Sequence, residues 1–193
     1  MLDLNVYDFD KTIYYSDSTL DFYLYSLKKN ILLIRYLPIQ IYGFLLYKLN
    51  IKEKEFFKEK FFSFLKGIKN IDNHVEEFWN LHKSGIKKWF LDKKQENVVV
   101  ISASPEFLLN EICKSIGVDK LIATKVNKNT GKFESKNCYG KEKLLRLNKE
   151  YDKYRIINFY SDSYSDKYLA NIAKNSFIVN KDEIKKWREI DGK

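Results

Sequence analysis

The chain predicts an α/β protein with a doubly wound, mainly parallel, Rossmann-like sheet, and three observations carry that prediction. Runs such as Val98–Ile101 are apolar without alternation, which marks strands covered on both faces. Helical stretches lie between the runs, as parallel crossovers require. Aspartates and serines gather where the runs end, and an open α/β sheet carries its chemistry in the crevice outside the carboxyl ends of its strands.

Taken in order, strands are expected near Leu4–Asp8, Val98–Ile101, Lys120–Lys125, Arg155–Tyr160 and Phe177–Asn180. Helices are expected at about Glu106–Ile116, Lys141–Lys149, Tyr164–Lys174 and Asp182–Glu189, with a hairpin turn at Asn127–Gly131. The first strand runs into V-Y-D-F-D-K-T-I (Val6–Ile13), which sets Asp8 and Asp10 one residue apart, with Thr12 following. Asp is a poor strand residue, so two at a strand end favour a chemical reading over a polar turn.

The second strand ends in Ser102. Ser104-Pro105 then reads as an N-cap with proline at the first helical position. That arrangement suits either a phosphate seat or an ordinary capped connection. In C138-Y-G-K-E-K-L-L-R-L147, lysines stand in a helix's first turn, against the macrodipole. They point to a nearby anion or to a solvated face. The run I156-I-N-F-Y-S-D-S-Y-S-D166 ends in two aspartates among serines, oxygen ligands of the kind Mg²⁺ takes; alone it also reads as a turn before a capped helix.

Residues 13–90 are different in character. In Glu55–Ile68, Phe57, Phe61, Phe64, Leu65 and Ile68 form one helical stripe, a packing face before it is a lipid face. Ile31–Leu49 is apolar except for Arg35, Gln40 and Lys48, and Pro38 is expected to break any simple helix. Its uncharged stretch Tyr36–Tyr47 is shorter than the roughly twenty residues a bilayer span needs. It suits either a buried hairpin or an interfacial segment with tyrosines at headgroup depth.

Composition bounds the alternatives. With 193 residues, 45% hydrophobic and 16% aromatic, the chain has a core and is not disordered. Cys113 and Cys138 make no metal spacing and read as reduced thiols. His74 and His82 read as surface or hinge residues in a polar helix, not as ligands. The N-terminus M-L-D-L-N-V lacks the basic head of a secretory signal, so a cytoplasmic location is expected, with peripheral contact at the inner membrane face allowed. The net charge is +9, and residues 13–95 carry 15 Lys/Arg against 9 Asp/Glu. Such a balance draws anionic substrates or anionic lipid surfaces. No nucleic-acid partner is expected, because the lysines are dispersed and no binding motif is present.

Taken together, D8-F-D10-K-T12, Ser102, the basic residue near 143 and D162-S-Y-S-D166 stand in an order that resembles the haloacid-dehalogenase-like (HAD) superfamily of phosphohydrolases. Within it the chain is most similar to the phosphoserine-phosphatase-like branch. The C138–L147 stretch, Y160-S-D-S-Y-S-D166 and the apolar Y36–Y47 segment resemble phosphatidylglycerophosphatase-C-like proteins. The resemblance implies a catalytic core of residues 1–12 and 91–193 and a helical cap inserted at 13–90. It implies Asp8 as a nucleophile that becomes an aspartyl-phosphate, and Asp10 as general acid and then base. It implies Thr12 and Ser102 at a phosphoryl oxygen or its loop, and Lys143 (Lys141 as fallback) as the screening cation. Mg²⁺ would be held by Asp8, the Asp10 carbonyl and Asp162, with Asp166 beside them. Lys11 stands where many relatives carry glycine.

The expected function is therefore a Mg²⁺-dependent phosphomonoesterase acting on a small phosphorylated molecule or a lipid headgroup phosphate. One alternative is a phosphoserine phosphatase, in which Asp17 would supply the acid that clamps the substrate. Of the four arginines (Arg35, Arg146, Arg155, Arg188), however, only Arg35 lies in the cap region to hold its carboxylate. Another is a catalytically silent binding protein on the same scaffold, which the intact carboxylates disfavour.

Overall fold

A computed structural model describes residues 1–93 and 95–187. Six strands form one sheet: β1 (Leu2–Tyr7), β2 (Val98–Pro105), β3 (Lys120–Thr124), β4 (Tyr154–Ser161), β5 (Asn175–Asn180) and β6 (Glu183–Lys186). Their order is β3-β2-β1-β4-β5-β6, parallel except for the β5–β6 pair. The chain winds from β1 out to β3 and then returns to lay β4 on the other side of β1. That reversal is the switch point at which a doubly wound sheet opens a crevice.

Both faces are covered, as the unbroken β-branched runs predict. Leu4 and Val6 of β1 pack with Val99 and Ile101 of β2 against Leu147 of α7 (Lys141–Glu150) and Leu169 of α8 (Lys167–Ala170). Tyr7, Val98 and Val100 point the other way, toward Leu108, Leu109 and Ile112 of α6 (Glu106–Ser115). Successive side chains alternate faces along a strand, so one sequence feeds two cores.

Between β1 and β2 the described residues are helical: α1 (Ser18–Lys29), α2 (Leu37–Lys48), α3 (Lys54–Phe61), α4 (Ile71–His82) and α5 (Lys88–Leu91), with 3₁₀ turns at Ile31–Tyr36, Phe62–Gly67 and Lys83–Gly85. Aromatic rings fill this insert. Phe22, Phe64 and Phe78 are fully buried, and Phe22 meets Phe78 edge-on at 5.3 Å. Trp79 Nε1 donates to the Leu108 carbonyl at 2.6 Å and ties α4 to α6. His74 and His82 belong to this packing: His74 contacts Ser26 Oγ at 2.9 Å, and His82 stacks on Phe78 at 4.3 Å.

Several elements depart from the sequence expectation. Asp182–Glu189 is not a helix. Glu183–Lys186 is an antiparallel edge strand joined to β5 by a turn at Lys181, and residues 188–189 lie outside the described residues. Four charged and apolar residues fit either period, and lysines suit an exposed edge. The Tyr164–Lys174 helix shrinks to a 3₁₀ turn, Tyr164–Asp166, and the single turn α8. The Glu55–Ile68 helix ends at Phe61 and tightens into a 3₁₀ turn. There a Cβ on Gly67 would stand 2.4 Å from Leu33, so close approach sets the geometry. Ser104-Pro105 does not cap α6: β2 runs on to Pro105, and the helix starts at Glu106. Pro38 does not break the apolar segment, because it falls in the first turn of α2, where no intrahelical N–H is lost. The stretch Ile31–Lys48 is therefore longer than the uncharged run suggests. Among the described residues it is the one helical stretch long and apolar enough, by length and composition, to cross a membrane. It lies against α3, with Gly43 so close to Lys60 that a Cβ would meet it at 2.6 Å.

Phe78 sits at the centre of the aromatic packing, so Phe78→Ala is expected to destabilise the fold by about 3–5 kcal/mol. Urea unfolding checks this, and a loss under about 1 kcal/mol would mean that the ring cluster does not hold the insert together.

Candidate active site

The carboxyl ends of β1, β2 and β4 meet the N-terminus of α7 in one cleft of about 380 Å³, closed on the far side by α3. Asp8, the residue after β1, continues the β1–β4 ladder through its N–H to the Tyr160 carbonyl at 2.9 Å. Lys143, in the first turn of α7, is 3% exposed. Its Nζ donates to Asp8 Oδ1 and to Asp166 Oδ2, each at 2.6 Å. The lysine that opposed the helix macrodipole thus has two carboxylates as its reason for being there. Lys141 is exposed and is not among the residues lining the cleft, whereas Lys143 is.

Asp166 Oδ2 also accepts from Ser161 Oγ at 2.8 Å, while its Oδ1 is buried and has no hydrogen-bond partner among the described residues. Asp162, half-buried, lines the same cleft. Asp10 turns its carboxylate elsewhere: Oδ1 accepts the Ser18 N–H at the start of α1 at 2.7 Å, and Oδ2 accepts from Ser104 Oγ. Ser104 is therefore a partner of Asp10 where the sequence suggested a helix cap.

Thr12 and Ser102 are buried and stand beside the cleft, not in its lining. Ser102 Oγ accepts from the Ser104 N–H at 3.1 Å and so shapes the loop, while Thr12 Oγ1 has no hydrogen-bond partner. Lys11 adopts φ of 57°, the left-handed region that glycine enters without strain, which gives a physical reason for glycine at this position in related proteins.

The electrostatics follow from this crowding. Burial pushes the Asp8 carboxyl up to about 7, with Lys143 opposing and Asp166 and Asp10 adding to the rise. Asp10 is raised to about 6, by burial first and by Asp17 next, against its bonds to Ser104 and Ser18. Burial pulls the Lys143 ammonium down, but Asp8 and Asp166 outweigh it and hold it above its ordinary range. Taken as ionised, the five aspartates that line the cleft (Asp8, Asp10, Asp17, Asp162 and Asp166) outnumber its four lysines (Lys11, Lys54, Lys58 and Lys143) by one, and a bound cation would relieve that imbalance. Among the described residues no three Asp, Glu, His or Cys side chains form a ligand cluster by themselves. An all-oxygen set of Asp8, Asp162, the unpartnered Asp166 Oδ1 and a backbone carbonyl nonetheless fits Mg²⁺, which keeps several of its positions for water and substrate.

The wall contributed by the insert was missed by sequence reasoning. Leu20, Phe57, Phe61 and Phe62 make it largely apolar, and Lys54 and Lys58 add charge. Lys58 Nζ donates to the Ala103 carbonyl at 3.0 Å and to Asn137 Oδ1 at 2.9 Å. Glu55 and Glu59 grip the same loop through the Asn137 and Phe133 N–H groups. The only signal was a lysine bordering the Phe57/Phe61 stripe, faint in so lysine-rich a chain.

Burial lowers the Lys58 ammonium to about 8, with Lys54 adding to the shift and Asp17 and Asp10 opposing it. In the unfolded chain a lysine keeps its proton to about 10.4. Between these values the unfolded state binds more protons, so the contribution of Lys58 to stability rises with pH from about 8 to about 10. The melting temperature of the wild type is therefore expected to gain on that of Lys58→Met as pH rises from 7.5 to 10. A gap that stays constant across that range would contradict the shift.

Comparison with known proteins adds the following. A family profile described as haloacid dehalogenase-like hydrolase matches residues 6–171. A comparison with curated proteins returned no match. Among solved structures, the chain is similar to a protein of unknown function from Bordetella pertussis Tohama I, with 18% identity, 91% of this chain and 89% of that chain covered, and a TM-score of 0.76. It is also similar to a phosphoserine phosphohydrolase-like protein from Francisella tularensis subsp. tularensis SCHU S4 (16% identity, 91% and 86% covered, TM-score 0.54). A probable phosphoserine phosphatase from Vibrio cholerae shares 15% identity, with 91% and 55% covered and a TM-score of 0.57. At such identities the likeness is one of fold.

Proposed function

Because the chain belongs to the haloacid dehalogenase-like hydrolases, we propose that it is a Mg²⁺-dependent phosphomonoesterase that works through a phosphorylated Asp8. The observation that carries this reading is Lys143 bridging Asp8 and Asp166 in one cleft with Asp10 and Asp162. Asp8 Oδ1 is engaged by Lys143, which leaves Oδ2 to attack phosphorus as the ester P–O bond breaks. Asp10, with its raised proton affinity, gives its proton to the leaving oxygen. It then takes a proton from the water that cleaves the Asp8–phosphorus bond and releases phosphate. Asp8, the Asp10 carbonyl and Asp162, with Asp166 beside them, would hold Mg²⁺, which when bound would supply the charge that lets a carboxylate approach a dianion. Lys143 shares that task, and the residues 13–90 act as the cap.

A lipid headgroup phosphate is the favoured substrate. The apolar wall of Leu20, Phe57, Phe61 and Phe62 suits a substrate with a hydrophobic body, and Lys54 and Lys58 suit additional negative charge. Peripheral contact with an anionic bilayer fits the outer side of the cap. Eleven exposed large apolar side chains fall between Ile31 and Ile51, where Arg35, Lys48 and their neighbours supply positive charge. The second reading, phosphoserine phosphatase, draws support from Asp17 and Lys58 lining one cleft, where they would meet an ammonium and a carboxylate. Arg35, by contrast, lies against Tyr36 outside the cleft.

Para-nitrophenyl phosphate should be hydrolysed with Mg²⁺ present. Asp8→Asn should lower kcat by about 10³-fold or more, a barrier increase of about 4 kcal/mol. Wild-type turnover in that variant would remove Asp8 from the chemistry. At equal concentrations, phosphatidylglycerophosphate in mixed micelles should be turned over faster than phosphoserine, and the reverse order would select the second reading. Vesicles rich in phosphatidylglycerol should sediment the protein at low salt. Ile41→Glu/Leu45→Glu should stay in the supernatant with unchanged para-nitrophenyl phosphate turnover, whereas wild-type protein left wholly in solution would rule out the membrane contact.

A further inference from the structure

Lys87 is a lysine with 1% exposure, and among the described residues no carboxylate comes within ion-pair distance of it. Its Nζ donates instead to two backbone carbonyls, that of Lys11 at 2.6 Å and that of Lys181, and stands 5.3 Å from the centre of the Tyr15 ring. Burying an ammonium without a counter-charge is expensive, and hydrogen bonds to neutral carbonyls only partly offset the lost hydration. A buried methionine or leucine would fill the space at less expense, so the donors themselves need a reason.

The reason lies in what the Lys11 carbonyl belongs to. Lys11 joins two peptide planes. The plane before it carries the Asp10 carbonyl, and the plane after it runs to Thr12. Lys87 holds the oxygen end of that second plane, while its N–H end, Thr12 N, donates to the Phe9 carbonyl at 3.3 Å. The N–H groups of Ile13 and Tyr14 converge on the same Phe9 oxygen at 2.9 and 3.0 Å. The peptide is thus held at both ends, and Lys11 is kept in its left-handed conformation, φ 57°, where a side chain is disfavoured. The backbone at Lys87 braces the same loop: its own N–H donates to the Ile13 carbonyl at 2.8 Å, and the Tyr15 N–H to the Gly85 carbonyl at 3.0 Å. The returning end of the helical insert therefore grips the loop that carries Asp8 and Asp10, and through Lys181 links it to the β5–β6 turn.

We propose that Lys87 is a positioning residue, whose buried ammonium fixes the Lys11–Thr12 peptide and thereby the orientation of the Asp10 carbonyl relative to Asp8. It touches neither substrate nor metal and acts through the loop, and its consequence for catalysis rests on the phosphatase reading above.

Lys87→Met keeps the length and apolar stem and removes the donors. Hydrogen exchange followed by mass spectrometry should show faster exchange in residues 9–14, and calorimetric titration should show Mg²⁺ binding weakened about tenfold, as loss of an outer-shell support does. The kcat for para-nitrophenyl phosphate should fall about tenfold with KM changed less than twofold. A variant with a lower melting temperature but wild-type exchange in residues 9–14 and wild-type Mg²⁺ affinity would overturn the proposal and leave Lys87 a packing residue. Should Lys87→Met fail to fold, Lys87→Arg, too long and planar to present one nitrogen to both carbonyls, should show the same three changes at threefold or more, and unchanged values would overturn it equally. The exchange readout needs neither turnover nor metal. A wild-type protein that hydrolyses no phosphomonoester would sink the phosphatase reading while the comparison of exchange still decides on Lys87.

Discussion

A lysine held between two buried aspartates is the constraint around which the crevice is built. The ammonium of Lys143 lies 2.6 Å from Asp8 and 2.6 Å from Asp166, with almost no exposure for any of the three. Separating any member would strand a charge in a poorly solvated interior, a loss on the order of 3–5 kcal/mol for a buried pair. The contact therefore locks the start of α7 against the end of β1, 135 residues away in the chain, and against the turn that follows β4. The cleft around it is lined by five aspartates and four lysines, so the acids outnumber the cations by one. A hard divalent cation would suit such a site, and Asp166 Oδ1 is a buried oxygen that has no hydrogen-bond partner among the described residues.

The helical insert meets this crevice at two points, each marked by a lysine that bonds to neutral carbonyl oxygens and, among the described residues, has no acid within ion-pair distance. Lys58 reaches from α3 to Ala103 and Asn137 at the front of the cleft. Lys87 holds Lys11 and Lys181 behind the Asp8–Asp10 loop. The same contacts tie the insert to two different loops of the sheet's carboxyl end.

Much of this was legible in residues 1–193. The doubly wound sheet followed from the β-branched runs, because a strand buried on both faces has no solvent side to carry polar alternation. Asp8, Asp10, Asp162 and Lys143 stood out for a related reason: each is a residue type that its local structure disfavours, a carboxylate at a strand end or a lysine at a helix start. Elements without such conflict were the ones misread. Glu183–Lys186 satisfies helix and strand periods alike, and its identity as a strand depends on β5 lying beside it. Pro38 looked like a breaker until its place in the first turn of α2 was fixed by the 3₁₀ turn before it.

The sequence by itself determined the fold class, the order of the chemical groups and the aspartates that share the cleft. Period, propensity and charge at strand ends are local properties, readable within a few residues. Tertiary structure alone decided which hydroxyl faces Asp10, since Ser104 and Thr12 are equivalent on paper and only packing turns one toward the carboxylate and seals the other away. It alone decided that Lys58 and Lys87, two among many lysines, sit against backbone carbonyls at the crevice. A lysine's role is set by what surrounds its Nζ about 6 Å from the backbone, and those surroundings are assembled from segments that only the folded chain brings together.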